Sequence, residues 1–363
     1  MALSPLFRRV DFEHLPGWRD DDPADAFEAF RRSAFHSAEK PYRTGGLGVE
    51  TAAFEPAFAD ARLARRPDTG ASRAFFERHF VAARIEAAGF VTGFYEPEVE
   101  AVLSQDAAHP VPLLARPRDL VDVDDGNRPP DLDPYLAFAR QTEAGLAEYF
   151  DRAAIERGAL AGRGLEIAWL ADPVDAFFIH VQGAARLKLP DGSVRRVTYA
   201  AKSGQRFSGP GRILADLGEI PLAEVTMQSI RAWFGANPHR VDEILHRNRS
   251  YIFFRDAPVD DPALGPVAAA KVPLTPGRSL AVDRLLHTFG TPFFVDAPRL
   301  LAFGGQPFRR LMIAQDTGSA IVGPARGDLF AGSGDAAGEI AGVVRADATF
   351  YALLPRPLFE ARP

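Results

Sequence analysis

The chain has 363 residues, 47% of them hydrophobic, and a formal net charge of −6; this length suits two domains, and the charge offers no basic surplus for nucleic acid. Cysteine is absent, which excludes disulfides, thiolate nucleophiles and zinc–thiolate sites. The 31 glycines and 30 prolines favour short strands joined by tight turns over a helical bundle.

The first half of the chain predicts three helices and a long loop. A helix follows Pro23, because apolar residues recur at helical spacing after it. A second helix is predicted from about Ser72 to a stop at Gly89 on the same grounds. The segment Arg116–Pro134 is rich in Asp, Pro and Gly, which is typical of a loop. A third helix is predicted over Tyr135–Arg157.

The second half of the chain predicts mainly strands. The apolar run Ala176–Gly183 indicates a strand, and Ala185–Leu189 and Val194–Tyr199 indicate a hairpin with an Asp-Gly turn. One helix is predicted, over Ala223–Phe234. Beyond it helical periodicity nearly disappears, and the remaining apolar runs indicate strands of a barrel: Tyr251–Phe254, Thr291–Val295 and Arg310–Ala314.

Common catalytic and metal-binding motifs are missing from the sequence. The eight histidines form no metal-ligand spacing, and His180, inside the predicted strand, is typical of a structural histidine. No Gly-x-Ser-x-Gly elbow and no Gly-x-x-x-x-Gly-Lys-Ser/Thr loop occurs. The sequence therefore predicts neither a metal site nor a bound cofactor.

Three aspartates lie in apolar, strand-like segments near the end of the chain: Asp283, Asp316 and Asp328. Each alone also fits a turn aspartate that accepts backbone N–H bonds, so that alternative stays open for each. Together they indicate a catalytic site. The apolar neighbours of Asp328, Leu329 and Phe330, would raise its pKa above the ordinary value of about 3.9, and the carboxyl would keep the proton that a general acid donates.

The segments around these aspartates resemble the three-aspartate (3D) module at the C-terminus of the membrane-bound lytic transglycosylase A (MltA) family. The resemblance covers nearly the whole chain, from about Val10 to Pro355. Further segments resemble the family in the same order along the chain: Val10–Asp22, Gly93–Pro97, Phe177–Gly183 and Asn248–Phe254.

Several residues depart from the family pattern. Phe94 stands where a tyrosine is common, and Ser319 replaces a frequent glycine. Val322 replaces a frequent lysine, and Ser203 a frequent asparagine. The turn at Leu285–Gly290 also differs. These departures bear on the expected sugar contacts and leave all three aspartates in place.

The resemblance implies a mainly β fold with peripheral helices. In it a second β-domain is inserted into a double-psi β-barrel, and a groove between the two domains holds a glycan strand. The barrel would take residues 1–97 and 248–363, with the 3D module at about 278–355. The inserted MltA-type domain would take residues 98–247.

The resemblance also implies an activity, that of a lytic transglycosylase. Such an enzyme cleaves the β-1,4 bond between MurNAc and GlcNAc in peptidoglycan and forms a 1,6-anhydroMurNAc end. Asp328 falls on the family's catalytic aspartate, which acts first as acid and then as base, and Asp316 falls on a neighbour that assists it. We expect an ionised Asp316 to help keep Asp328 protonated, because like charges push pKa values apart.

Four further residues are predicted to contact the substrate. Tyr95 and Gln182 are candidates for lining the groove. Gly318 lies in the Asp-Thr-Gly segment beside the second aspartate. Asp283 belongs to the same predicted site, although its role looks more structural than that of the other two aspartates.

Two other functions stay open: a non-catalytic peptidoglycan-binding protein, and a hydrolase that uses both Asp316 and Asp328 and releases a reducing sugar.

The expected partners are glycan strands and outer-membrane or cell-wall enzyme complexes, without nucleic acid, and the protein is expected to be a monomer. Its substrate would place it in the periplasm. Met1 to Asp20 shows no apolar signal segment or lipobox cysteine, and no apolar run reaches the roughly 20 residues that span a bilayer.

Overall fold

The computed structural model describes residues 2–359 of the chain. These residues form two compact units. The first unit comprises the chain up to Tyr95 and from Asp261 onward, and the inserted unit comprises Glu96–Asp260. Both units are built around β-sheets with helices beside them, as the sequence predicts.

The strands are β1 (Phe7–Arg9), β2 (Phe80–Ile85), β3 (Gly89–Glu96), β4 (Glu98–Glu100), β5 (Val111–Leu114), β6 (Leu120–Asp122), β7 (Phe138–Thr142), β8 (Gly145–Ala147), β9 (Glu166–Leu170), β10 (Ala184–Lys188), β11 (Val194–Lys202), β12 (Ile252–Ala257), β13 (Ser279–Val282), β14 (Pro292–Ala297), β15 (Phe308–Asp316), β16 (Arg326–Ser333) and β17 (Arg345–Pro355).

The α-helices are α1 (Ala24–Glu39), α2 (Glu55–Leu63), α3 (Thr69–His79), α4 (Arg152–Ala154), α5 (Pro173–Gln182), α6 (Pro210–Asp216), α7 (Met227–Ala236), α8 (Val241–Leu245) and α9 (Asp335–Val343). Short 3-10 helices lie at Phe12–His14, Thr51–Phe54, Leu222–Glu224, Pro238–Arg240 and Arg356–Leu358, and a π-helical turn lies at Ile155–Ala159. Between residues 2 and 359, no helix is long and apolar enough to cross a membrane.

The sheet of the first unit closes on itself. Its strand order is β1-β2-β17-β14-β15-β13-β16-β3, and β3 also pairs with β17. The pairings therefore return to β17, and six strands (β17, β14, β15, β13, β16 and β3) form a closed barrel. Strand β13 runs parallel to β15 and antiparallel to β16. Closure leaves these six strands without a free sheet edge.

Strand β17 closes the barrel because its successive segments pair with different strands. Arg345–Ala348 pair with β3, Thr349–Ala352 with β14, and Tyr351–Pro355 with β2. The crossing of β3 and β17 is tight at Gly89, where a Cβ atom would lie 2.0 Å from the carbonyl oxygen of Ala348. Only a glycine allows the two backbones to approach this closely.

The core of the first unit lies between the barrel and the first three helices. Helix α1 follows Pro23, as predicted, lies against β15 and buries Phe27 and Phe30 completely. The ring of Phe30 lies 5.0 Å from the ring of Phe58 on α2, and the ring of Phe27 lies 6.4 Å from that of Phe76 on α3. Burial of these large rings stabilises the attachment of α1 to the barrel.

The second predicted helix is too long. Helix α3 ends at His79, and Phe80–Ile85, predicted to continue the helix, is strand β2 between β1 and β17. Five of its six residues are buried, so both faces of β2 are covered. A strand buried on both faces is a continuous apolar run, and periodicity does not distinguish such a run from a buried helix.

The inserted unit contains three small sheets. Their orders are β12-β11-β10-β4, β5-β9 and β6-β7-β8. Strands β10 and β11 form the predicted antiparallel hairpin. Strand β12, which was predicted for the barrel, pairs with β11 instead. The inserted unit accordingly extends to Asp260, where the sequence placed the return to the barrel at residue 248.

Residues 176–183 were predicted as a strand, and this is wrong. Residues 176–182 lie in helix α5, which starts at Pro173 after the Asp172 cap and ends at Gln182, and the cap residue Gly183 follows with a φ of 76°. The helix is buried on most sides, so its apolar residues show no amphipathic period. The Asp-Pro start and glycine stop were the signals that could have identified it.

The helix predicted over Tyr135–Arg157 is also wrong. This segment forms β7, β8 and only a short α4. Strands β7 and β8 pair as a hairpin that turns at Gly145, where φ is 117°, a value that a helix cannot accommodate.

One arginine holds both ends of the inserted unit. Arg196 on β11 donates to the Glu96 carboxylate at 2.6 and 3.1 Å and to the carbonyl oxygen of Pro258 at 3.3 Å. Arg186 on β10 donates to the same carboxylate at 2.9 Å. Because Glu96 opens the unit and Pro258 lies two residues before its end, these bonds hold its two ends together.

Candidate active site

Two of the three aspartates meet across one strand of the barrel. In the register of β13, Ala281 pairs with Asp328 of β16 on one side and with Asp316 of β15 on the other. Side chains of residues directly opposite each other in a sheet point to the same face. The two carboxyl groups therefore leave the barrel wall on the same face, one strand apart on either side of Ala281.

A β-bulge produces this alignment. Leu280 pairs with Ala314 and Ala281 with Asp316, so Gln315 is the extra residue of β15. The Gln315 side chain is buried, donates to the carbonyl oxygen of Ala29 on α1 at 2.7 Å and accepts from Ser279 at 2.6 Å. The bulge thus lets Gln315 hold α1 while the next residue, Asp316, comes level with Asp328.

Asp328 is held by a hydroxyl group. Thr92 Oγ1 on β3 donates to Asp328 Oδ1 at 2.5 Å, and Arg326 Nη2 donates to Thr92 Oγ1 at 2.6 Å. Arg326 also donates to the carbonyl oxygen of Gly327, and its guanidinium lies 5.6 Å from the ring centre of Phe90. The Asp328 side chain is half-buried, so a reacting group can reach it.

The pKa of Asp328 is raised above its ordinary value. The cause is burial, which disfavours the charged carboxylate, and the Thr92 hydrogen bond and the Arg326 charge oppose it. The apolar neighbours predicted to desolvate this carboxyl, Leu329 and Phe330, are both fully buried. The direction of this pKa shift agrees with the prediction that Asp328 donates a proton.

The pKa of Asp316 is raised to about 6. Burial is the largest cause, and the negative charge of Asp328 adds to it, while backbone N–H bonds from Thr317 and Ala269 oppose it. The expected coupling between the two carboxyl groups is therefore present, but it raises the pKa of Asp316. Near neutral pH, burial accounts for the raised pKa of Asp328.

Asp283 serves the chain locally. Its carboxylate oxygens accept backbone N–H bonds from Leu285 at 3.0 Å and Gly323 at 2.9 Å. These bonds fix the loop after β13 to the loop before β16. Asp283 thus has the bonding of a structural residue.

Gly318 is exposed two residues after Asp316, in a turn closed by the N–H of Ile321.

The two predicted groove residues lie in different units. Tyr95 is on β3 of the first unit, only 6% exposed, and its ring packs so closely on α9 that a Cβ on Gly338 would lie 2.9 Å from it. Gln182 is the last residue of α5 in the inserted unit and is partly exposed. Substrate contact by either residue stays a prediction.

Thr92 and Arg326 were missed by sequence reasoning. Arg326 lies two residues before Asp328 in a strand, so the two side chains share one face, and this spacing was a usable signal. Thr92 immediately precedes the Gly93–Pro97 segment, but nothing in the sequence brings it to a residue 236 positions away. Within residues 2–359, no group of three or more His, Asp or Glu side chains is arranged to hold a metal ion.

Comparison with known proteins identifies the family. Residues 90–255 match the MltA specific insert domain, and residues 278–354 match the 3D domain. A solved membrane-bound lytic murein transglycosylase from Agrobacterium tumefaciens is 52% identical, covers 97% of this chain with 98% of its own, and superposes with a TM-score of 0.92. The chain belongs to the MltA family.

Two further relatives are similar to this chain at lower identity. The structure of MltA from Neisseria gonorrhoeae is 31% identical, with 96% of this chain and 92% of that one covered and a TM-score of 0.79. Membrane-bound lytic murein transglycosylase A of Vibrio cholerae serotype O1 is 34% identical over 197 residues, which are 53% of this chain and 52% of the relative. The chain spans about half the length of the curated relatives it matches.

Proposed function

We propose that this protein is a lytic transglycosylase that cleaves the bond between MurNAc and GlcNAc in peptidoglycan, with Asp328 as its single acid and base. The observation that carries the proposal is the half-buried Asp328 carboxyl, which has a raised pKa and accepts one hydrogen bond from Thr92. Family membership supports the substrate class, because the relatives carry the name of lytic murein transglycosylases.

In the first step, protonated Asp328 donates its proton to the glycosidic oxygen while the bond from that oxygen to C1 of MurNAc breaks. The Asp328 carboxylate then accepts the proton of the C6 hydroxyl of the same sugar, and O6 forms a bond to C1. The products are a 1,6-anhydroMurNAc end and a new GlcNAc hydroxyl, and Asp328 is protonated again. Since the nucleophile belongs to the sugar that is cleaved, no water has to be positioned.

Two roles are open to Asp316 in this mechanism. As a carboxylate, it would stabilise positive charge that develops on the sugar ring in the transition state. Its pKa of about 6, however, also suits a proton donor near neutral pH, and this favours Asp316 as a second candidate for the acid. The hydrogen bonds from Thr92 and, through it, Arg326 favour Asp328, because they stabilise the carboxylate that donation leaves behind.

The test is mass spectrometry of purified peptidoglycan digested by the protein, beside the Asp328→Asn and Asp316→Asn variants. Muropeptides one water lighter than hydrolytic products, lost with Asp328→Asn, support the proposal. Loss only with Asp316→Asn transfers the acid role to that residue. Products of full hydrolytic mass indicate a two-carboxylate hydrolase, and binding to the sacculus without products indicates a binding protein.

Two features of the resemblance are proposed on the same basis. The closed six-stranded barrel with its parallel β13–β15 pair would be of the double-psi type. The substrate would place the protein in the periplasm, with Gln182 and Tyr95 among its glycan contacts. Cell fractionation followed by immunoblotting tests the location, and glycan-binding measurements on Gln182→Ala test the contact.

A further inference from the structure

A chain of two hydrogen bonds leads from a cation to one oxygen of Asp328. Arg326 donates to the Thr92 hydroxyl at 2.6 Å, and this hydroxyl donates to Asp328 Oδ1 at 2.5 Å. An arginine has only donors, so Thr92 Oγ1 must accept from it. When Asp328 is ionised it can only accept, so the single proton of the hydroxyl is directed to the carboxylate.

This order decides where the acid proton of Asp328 resides. Oδ1 is occupied as an acceptor of the Thr92 proton. A protonated carboxyl that keeps accepting the Thr92 bond at Oδ1 carries its proton on Oδ2. Oδ2 has no protein hydrogen-bond partner among the described residues and remains open to a reacting group.

The Arg326 guanidinium contacts the Asp328 carboxylate only through Thr92, and this limits its effect on the pKa of Asp328. Within residues 2–359, Arg326 forms no ion pair with any carboxylate, and its other contacts are the Gly327 carbonyl and the Phe90 ring. A guanidinium in direct contact would lower an aspartate pKa by about 1–3 and hold it ionised. With Thr92 between them, the charge favours the carboxylate less strongly, and burial still raises the pKa of Asp328.

We infer that Arg326 and Thr92 are positioning residues that select Oδ2 of Asp328 as the proton-donating oxygen and stabilise the carboxylate formed on donation. The inference rests on the proposed function and deepens it. The charged groups around Asp328 that bear on its titration are Arg326 on its own strand and Asp316 on β15, while β3 contributes the neutral Thr92.

The experiment compares Thr92→Val, Thr92→Ser and Arg326→Met by kcat, KM and pH profile on purified peptidoglycan, each in the wild-type and the Asp316→Asn background. The second background removes the neighbouring titration. Thr92→Val is expected to lower kcat by about 10–100-fold with little change in KM, by analogy with other residues that orient catalytic groups. Thr92→Ser is expected to restore kcat.

The pH profile separates positioning from a merely structural role. Activity requires protonated Asp328 and so falls as pH rises through the pKa of Asp328. Loss of a hydrogen bond to the carboxylate raises this pKa, and Thr92→Val and Arg326→Met should both shift the fall to higher pH. Thr51→Val, which removes a partly buried hydroxyl bonded to the Tyr42 carbonyl in the same unit, is the matched control and should leave the profile unchanged.

The outcomes distinguish this inference from the proposed function. If Asp328→Asn is active, the proposed function fails whatever Thr92 does. If Asp328→Asn is inactive but the pH profile of Thr92→Val matches that of the wild type, the positioning role alone is overturned. The positioning role is also overturned if Thr92→Ser is as impaired as Thr92→Val, because the hydroxyl is then not the group that matters.

Discussion

The two units surround a carboxyl group that is wholly or partly buried in opposite ways. In the inserted unit, Glu96 is 0% exposed and accepts hydrogen bonds directly from Arg186 and Arg196. In the barrel, Asp328 accepts a hydrogen bond from the Thr92 hydroxyl, and Arg326 donates to that hydroxyl. Direct contact with two cations holds a carboxylate in one geometry. An intervening neutral hydroxyl leaves a carboxyl that can take up and release a proton.

The largest expected effect is a loss of activity on substitution of Asp328. Asp328→Asn removes the proton while keeping the shape of the side chain, so activity should fall by about 1,000-fold or more with a normal unfolding temperature. Asp316→Asn should cost less. Release of anhydro-muropeptides, measured as a rate for both variants, checks the order, and a greater loss with Asp316→Asn would reverse the two roles.

The next largest expected effect is a loss of stability on substitution of Glu96. Glu96→Gln leaves two buried guanidinium groups without their shared anion, which should lower the free energy of unfolding by about 3–5 kcal/mol. Urea unfolding measures the loss. Arg299→Met is the matched control, because the Arg299–Asp347 pair is 81% and 76% exposed and should contribute less than about 1 kcal/mol. Equal losses in both variants would contradict the contrast between the two kinds of site.

A smaller effect concerns the stability contributed by Asp316. Its folded pKa of about 6 lies above the ordinary 3.8, so its contribution to stability is fully present below about pH 3.8 and is lost as pH rises through about 6. Asp316→Asn should therefore raise the free energy of unfolding by about 1–3 kcal/mol at pH 7 and change it little near pH 4. Thermal unfolding at both values checks the sign, and a variant that is destabilised at pH 7 contradicts it.

The sequence predicted the parts of the fold in which local pattern and tertiary packing agree. Helix α1 shows an amphipathic period because one face packs on β15 and the other meets solvent. The hairpin of β10 and β11 carries an Asp-Gly turn. Helix α5 and strand β2 were misjudged since both are apolar on most sides, and in such runs periodicity carries no information.

The candidate site was predictable only to the level of its carboxyl groups. Apolar surroundings and family resemblance indicated Asp316 and Asp328, and their raised pKa values follow from burial. Their alignment depends on the bulge at Gln315, and the partner of Asp328 is Thr92 on a strand that precedes the whole inserted unit. Register shifts and pairings of strands distant in sequence have no local signature.

The bonds from Arg196 to Glu96 and to Pro258 have a consequence for how the chain folds. The barrel needs β3 and the strands after residue 261, and a long stretch of chain separates them. Once the inserted unit has folded, its two ends are tied together, and that stretch behaves as a short connection. The entropy lost on closing the barrel is then smaller, so an insert that folds first would speed the assembly of the site it interrupts.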